Sequence, residues 1–274
     1  MTWIWRHPPR QLTQTTSPTP TWTLMPALTP EHRRLLKLAR AKEGQHLASA
    51  RSAVLAQYRK DLLADAQAEL ERVLALPQAQ RRVQLPKVLA LISKASTVTR
   101  MPPEQVYRSI RAAVRDRVLS VDELARISDP GLAFNDSKAL QARAVDRQRK
   151  DMNGYWSKEQ KRFRDDTAKT VREAIRKGLS VEQAAGLLEE RLGVGRNRAL
   201  LIAEDQLLTA AARAEADRQQ ALGLTSYVWW SRLDNRVRRP HQLLHGQVRR
   251  WKEGEWPGQA IRCRCRAVPV PRAR

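Results

Sequence analysis

The sequence has little of several residue types, and each shortage excludes a class of protein. It has only two cysteines, Cys263 and Cys265, with one residue between them. That spacing is poorly suited to a disulfide, so we expect no disulfide framework and a reducing compartment. No apolar run approaches the roughly 18 residues of a membrane span. The N-terminus also lacks the apolar core of a secretory signal. With 11 glycines and few β-branched residues, the chain fits a mainly helical body better than a β-sandwich.

Acidic residues are also scarce relative to basic ones. The chain has 51 Lys and Arg against 28 Asp and Glu, which gives a net charge of +23 at pH 7. Such an excess acts on association with polyanions rather than on the fold. Nucleic acid is the expected neighbour, because each phosphate that is neutralised releases condensed counterions. A basic surface that faces an acidic protein is the alternative.

The first 30 residues contain no acidic residue and are rich in proline and threonine. Nothing in them is periodic, so residues 1–30 are predicted to form an extended tail. Trp3, Ile4, Trp5 and Trp22 are unusual in a solvated segment. They either anchor the tail on a neighbouring subunit or belong to a loosely ordered arm.

Residues 31–195 are predicted to form a helical body. Apolar residues recur every three or four positions through residues 31–76, which predicts one or two helices that end at Pro77. Pro86 suits the first turn of the next helix, and the Pro102–Pro103 pair precedes another.

Three capping-box patterns predict further helix starts, at Ser120–Glu123, Ser157–Gln160 and Ser180–Gln183. Gly178 is well placed just beyond the end of a helix, and Gly193–Gly195 is expected to end the helix that follows. Two helices with a short turn between them superficially resemble a DNA-binding helix-turn-helix. An ordinary αα-hairpin is the preferred interpretation.

The composition changes after one more helix, predicted over 196–222. Residues 227–231 have the β-branched and aromatic bias of a strand, and residues 261–270 read as a second strand. The predicted fold class is therefore mainly α. A helical body is joined to a small basic α+β module at the C-terminus, over residues 196–274.

Motifs in this module occur in the same order and at similar spacing in one known family. They are a strand with Trp, an Asp-x-Arg turn, a His, a Gly-containing turn, and Cys-Arg-Cys before a short apolar strand. The residues that match are Trp230, Asp234, Arg236, Arg238, His241, Gly246, Cys263, Arg264 and Cys265. Over about residues 178–270 the chain resembles the phage Mu F-like head-morphogenesis proteins.

This resemblance implies a structural minor capsid protein of a tailed bacteriophage, and not an enzyme. The implied partners are the portal protein, the major capsid protein or scaffold, and packaged double-stranded DNA. The implied location is the capsid interior or portal vertex, after a period in the host cytoplasm. The motif residues are then expected to fold the module and to shape its contact surface.

The motif also permits a metal site. His241, His245, Cys263 and Cys265 together offer the imidazole and thiolate ligands of tetrahedral zinc. The Cys-x-Cys spacing is tighter than that of a usual zinc knuckle, so a second interpretation is favoured. In that interpretation the cysteines share one face of a strand, and His241 is hydrogen-bonded to Asp234 to fix a loop.

Alternation along the same strand predicts a row of arginines on its opposite face. Candidate contacts to nucleic acid are the arginines of this row and an earlier pair, namely Arg249, Arg250, Arg262, Arg264 and Arg266. Tryptophans lie among these basic residues at Trp229, Trp230, Trp251 and Trp256. They form either a platform for single strands or the core of the module, and the core is preferred.

Two alternatives to a structural role are a nonspecific nucleic-acid binder and a nuclease. A nuclease would use His241 and His245 as an acid–base pair beside Arg236 and Arg238. Against it, the sequence shows no paired-carboxylate metal site. It also has no Walker lysine loop and no dinucleotide glycine fingerprint, which argues against a packaging motor.

Overall fold

The computed structural model describes residues 28–271. Within them the chain forms seven helices and one sheet of three strands, which confirms the mainly α fold with a small C-terminal sheet. The predicted tail falls almost wholly outside the described residues, and so do Trp3, Ile4, Trp5 and Trp22. In chain order the elements are α1 (Pro30–Gln57), α2 (Ala64–Leu74), α3 (Gln78–Val98), α4 (Glu104–Ser128), α5 (Lys138–Lys177), α6 (Val181–Ala221), β1 (Ser226–Trp230), α7 (Arg239–Leu243), β2 (Val248–Arg250) and β3 (Arg266–Pro269).

Several helix ends follow from local sequence. The Thr29 side chain caps α1 by accepting the backbone N–H of His32. At the start of α6, Ser180 and Gln183 form the predicted capping box. Gly178 ends α5 with a φ of 64°, in the left-handed region that glycine reaches without a steric penalty.

Four predicted helix boundaries are wrong. Ser120 lies inside α4 and Ser157 inside α5, because a capping-box pattern caps only where the preceding residue leaves the helix. Pro86 is in the interior of α3 rather than in its first turn. The Gly193–Gly195 segment does not end a helix, since α6 runs through it without a break.

Helices α5 and α6 form an αα-hairpin, as preferred from the sequence. They are joined by the short connection after Gly178. Close packing between them depends on Gly195, where an added Cβ would lie 2.6 Å from Cδ2 of Phe163. The Phe163 ring is itself buried against Tyr58 in an edge-to-face contact. The glycine that was expected to end the helix instead makes room for an aromatic ring.

The main core is enclosed by α1 to α6. Its largest fully buried side chains are Trp156, Tyr58, Leu70, Ile92 and Ile110. The indole N–H of Trp156 donates to the carbonyl of Thr99 at 2.9 Å, so the polar end of this side chain is satisfied inside the body.

The sheet has the order β2-β1-β3 and is antiparallel throughout. Strand β2 was not predicted, and only Arg266–Pro269 of the predicted strand over 261–270 is a strand. On one face, Val228 packs with Leu36 and Leu124 of the helices. The opposite face carries Tyr227 and Trp229, which line a second cluster with both cysteines.

Helix α6 crosses the predicted domain boundary between residues 195 and 196, and β3 packs on α4 and α6. The sheet is therefore held directly against the helical body. Among residues 28–271, no helix combines the length and the apolar character that crossing a membrane would require.

Candidate functional site

One histidine and the two cysteines meet in the C-terminal module. His241 lies on α7, whereas Cys263 and Cys265 lie in the irregular segment that leads into β3. All three side chains are buried, and their ligand atoms lie within 4.8 Å of one another. Nδ1 of His241 is 3.5 Å from Sγ of Cys263 and 3.7 Å from Sγ of Cys265. The cysteines thus share one side as predicted, although the segment is not a strand.

Neighbouring groups fix the orientation of the imidazole. The Ser231 hydroxyl donates to the backbone carbonyl of His241 at 2.6 Å, and the Trp229 ring lies edge-on to the imidazole with centroids 5.0 Å apart. Nε2 of His241 is 3.3 Å from the Glu255 carboxylate. The predicted bond from His241 to Asp234 is wrong, because both ring nitrogens face other groups.

The two thiols influence each other's protonation. A hydrogen bond from the Cys265 thiol is the largest influence on Cys263 and lowers its pKa to about 6. The same hydrogen bond, together with burial, raises the pKa of Cys265. Cys263 is therefore the more readily ionised thiol of the pair.

His245, the fourth candidate zinc ligand, lies apart from this cluster. Its Nδ1 accepts the backbone N–H of Ser231 at 3.1 Å, and its ring packs on Trp230 with centroids 4.4 Å apart. Burial, aided by the charge of Arg40, lowers the pKa of His245. The structure therefore brings together three of the four candidate ligands, and the two histidines of the nuclease alternative face different groups.

The side chains of the Asp-x-Arg turn bind other parts of the module. The Asp234 carboxylate accepts the backbone N–H of Arg236 at 3.0 Å and a guanidinium N–H of Arg264 at 2.7 Å. Arg238 donates to the carbonyl of Ile261 at 2.7 Å. Gly246, with a φ of 79°, returns the chain to β1. These residues join the turn to the segment that carries the cysteines.

Arg266 does not form part of an exposed row, so its predicted contact with nucleic acid is wrong. Its side chain is only 3% exposed and donates to Glu215 at 2.8 Å and to Ser120 at 3.3 Å. Arg117 also binds Glu215, at 3.2 Å, and pairs with Glu43 as well. The paired charges stabilise Arg266 in a buried position between α4, α6 and β3.

Arg262 and Arg264 instead line a groove of about 590 Å³ between α1, α6 and the module. The groove has six arginines and one carboxylate among its lining residues, which are Leu47, Arg51, Glu204, Leu208, Arg232, Arg236, Arg238, Ile261, Arg262 and Arg264. Arg262 donates to Glu204 at 2.6 Å. Within the described residues, the Arg236 guanidinium has no hydrogen-bond or ion-pair partner. Two further carboxylates pair with groove arginines from outside the lining, Glu43 with Arg232 and Asp234 with Arg264. The groove therefore keeps an excess of positive charge.

The other two predicted contacts, Arg249 and Arg250, lie on β2, away from this groove.

The tryptophans form the core of the module, as preferred from the sequence. Trp229 is fully buried, and Trp251 and Trp256 are partly buried in the same cluster. A basic platform of stacked aromatics is not the arrangement observed.

Four residues reach the site only through tertiary contacts, and the sequence patterns did not indicate them. Glu255 beside His241, the buried Glu215, and Arg51 and Arg232 in the groove were not singled out. Only Glu215 carried a signal, because a carboxylate interrupts the alanine-rich buried face of its helix. The others depend on tertiary contacts that no local spacing encodes.

Comparison with known proteins finds similarity in the C-terminal part of the chain. The chain is 28% identical over 112 residues to an uncharacterized protein of Haemophilus influenzae. The aligned region covers 39% of this chain and 25% of the relative, so the match spans only a quarter of that protein's length. No solved structure gives a significant match. Residues 165–268 match the model of the family described as Phage Mu protein F like protein, which confirms the resemblance seen in the motifs. The matched region includes the histidine–cysteine cluster and all of the groove lining except Leu47 and Arg51.

Proposed function

We propose that the protein is a structural component of a tailed-phage head that acts in head assembly near the portal and the packaged DNA. The observation that carries this proposal is the family match over residues 165–268. The head-morphogenesis role is what resemblance to that family implies, and the relative from Haemophilus influenzae adds no activity of its own.

The geometry fits a protein that joins other components. The functional motifs pack into a module whose core contains His241 and Trp229, and the module is fixed to the helical body through Glu215 and Arg266. The turn residues Asp234 and Arg264 bind each other. Such residues hold a surface in shape, which is the requirement for an assembly factor.

The location in the particle is the first test. Procapsids and DNA-filled heads from infected cells would be analysed by quantitative mass spectrometry, with and without the portal gene. We expect a few copies per particle, lost when portal is deleted. Absence from every particle would contradict the structural role.

The basic groove supports proximity to DNA. Its six arginines outnumber the three carboxylates that pair with them, which suits a phosphate backbone. The N–H groups of the Arg236 guanidinium are available to donate to phosphate. We expect duplex DNA to bind without sequence preference and with an affinity that falls steeply with salt. This would hold equally for the alternative of a nonspecific nucleic-acid binder, which particle analysis distinguishes.

A matched pair of variants tests the groove itself. Arg51→Ala with Arg236→Ala removes two groove charges, whereas Arg59→Ala with Arg164→Ala removes two exposed charges from the helical body. Each lost phosphate contact lowers the slope of log K against log salt by about 1. We expect the affinity of the groove double variant to depend less steeply on salt than that of wild type. The control double variant is expected to keep the wild-type slope. Equal slopes in the two double variants would exclude the groove as the contact surface.

The proposed role is structural and needs no turnover. Incubation of wild type and His241→Ala with RNA and DNA would check this directly. We expect both to leave the substrates intact, and cleavage by wild type alone would favour the nuclease alternative.

A further inference from the structure

We propose that His241, Cys263 and Cys265 form a zinc site that holds the C-terminal module together. The three ligand atoms come from two segments that are distant in sequence, namely α7 and the segment before β3. Together they are the nitrogen and sulfur donors that zinc prefers. This inference is independent of the role in head assembly.

The two distances from nitrogen to sulfur match those on one face of a tetrahedral zinc site. Zinc binds imidazole nitrogen at about 2.05 Å and thiolate sulfur at about 2.3 Å, so tetrahedral angles place the nitrogen about 3.6 Å from each sulfur. The observed Nδ1–Sγ distances are 3.5 Å to Cys263 and 3.7 Å to Cys265. The two sulfurs lie within 4.8 Å of each other, so the three ligand atoms can surround one ion.

The surroundings of the imidazole also suit a metal ligand. Nδ1 faces the thiols while Nε2 faces the Glu255 carboxylate at 3.3 Å. A zinc-bound histidine commonly gives its other N–H to a carboxylate, which fixes the tautomer and strengthens the ligand. The Ser231 hydroxyl holds the His241 backbone from behind and lies 3.5 Å from Sγ of Cys265.

The module has little regular secondary structure to hold it together. Between β1 and β3 it has only five residues of helix and three of strand, α7 and β2, and the rest is irregular. Small folds with little regular structure commonly depend on a metal or on disulfides. Zinc would tie α7 to the segment that leads into β3. The cluster supplies three protein ligands among the described residues, which leaves one position of a tetrahedral ion for a further ligand.

Metal content of the full-length protein is the first test. The protein would be purified without a histidine tag, dialysed, and analysed for metals by mass spectrometry. Replacement of the metal by Co²⁺ would then be followed by visible absorption. We expect one zinc per chain, and with Co²⁺ a tetrahedral spectrum with thiolate charge-transfer bands. No zinc, together with no charge-transfer band on Co²⁺ addition, would overturn the proposal.

Three variants locate the site. Cys263→Ser is expected to lose stoichiometric zinc, whereas His245→Ala, which changes the histidine outside the cluster, is expected to retain it. Glu255→Gln leaves every ligand in place and alters only the exposed carboxylate behind the imidazole. It is expected to weaken zinc binding by about 10- to 100-fold, as loss of such a partner does elsewhere.

These variants also keep the test independent of folding. Circular dichroism would show whether each variant keeps its helices. Zinc retained at wild-type affinity by folded Cys263→Ser and Glu255→Gln would overturn the assignment of the ligands. Loss of zinc from His245→Ala alone would do the same.

Discussion

Glu215 is the residue on which the attachment of the sheet depends most directly. It is 1% exposed, and its two oxygens accept hydrogen bonds from Arg266 at 2.8 Å and from Arg117 at 3.2 Å. The backbone N–H of Ala267 also donates to it, at 3.3 Å. One carboxylate thus connects α4, α6 and β3.

We expect Glu215→Gln to lower the free energy of unfolding by about 3 kcal/mol. The change removes the charge but keeps the shape, so two guanidinium groups lose a buried counterion. Urea denaturation followed by circular dichroism measures this. Glu190→Gln is the control, because Glu190 is 56% exposed and, among residues 28–271, its ion-pair partner is the neighbouring Arg191. A loss for Glu215→Gln no larger than that of the control would show that the network adds no stability.

At this scale the sequence predicted which side chains lie on the same side better than it predicted which distant residues they contact. It indicated that Cys263 and Cys265 share one side and that the tryptophans form a core. It did not predict that Arg266 is buried, because its partner Glu215 lies far away in the chain. Alternation along a strand decides which side chains share a face, but it cannot show which face another helix covers.

The hairpin of α5 and α6 depends on the size of one residue. In helix interiors alanine is favoured over glycine by about 1 kcal/mol. At Gly195 this gain is opposed, because the added methyl group would lie 2.6 Å from the buried Phe163 ring. At Gly193 of the same helix, an added Cβ meets nothing within 4 Å.

The two substitutions are therefore expected to change the free energy of unfolding in opposite directions. Gly195→Ala should destabilise the protein by about 1–3 kcal/mol through overpacking, and Gly193→Ala should stabilise it by up to about 1 kcal/mol. Thermal and urea unfolding of both variants would measure the difference. If both variants are more stable than wild type, the close contact with Phe163 does not destabilise Gly195→Ala.

The start of α1 carries a pH-sensitive contact. His32 is bonded to Thr29 at 2.7 Å and to Ser128 of α4 at 3.1 Å, and Ser128 in turn donates to the carbonyl of Pro269 on β3. Burial lowers the pKa of His32 below its usual 6.5, although Glu31 opposes the shift.

Acidification should therefore weaken this contact. Because the folded pKa is the lower one, the unfolded chain binds more protons below about pH 6.5. The stability that neutral His32 contributes is complete above that pH and is lost as the pH falls through the folded pKa. His32→Gln is expected to flatten the fall in unfolding free energy between pH 7 and pH 5, measured by urea titration. The control His46→Gln changes a histidine whose Nε2 lies 2.9 Å from the Asp116 carboxylate instead. An unchanged slope in His32→Gln would assign the pH dependence to other groups.

Helix ends were predictable where a cap and a break in the apolar pattern coincided. Ser180 and Gly178 satisfy both conditions, and both predictions were confirmed. At Ser120 and Ser157 the cap pattern was present, but the buried face continued through it. Tertiary packing decides between these cases, and a single sequence does not report it.

On the scale of the whole molecule, the sheet and the helices are expected to unfold as one unit. Buried ion pairs and the packing of β3 on α4 and α6 join them, and α6 crosses the predicted boundary without a break. We expect slowly exchanging amides in β1, α4 and α6 to share one opening free energy in hydrogen-exchange measurements. A sheet that opens at much lower free energy than α4 would show that the module is a separate folding unit.

The length of α6 has a mechanical consequence. A helix of 41 residues extends about 60 Å, so the turn at Gly178 and the sheet stand near opposite ends of one rod. A tilt of about 5° at the sheet end would move the turn by about 5 Å, roughly one helical pitch. Whatever holds the basic groove in place therefore also determines where the far tip of the hairpin points.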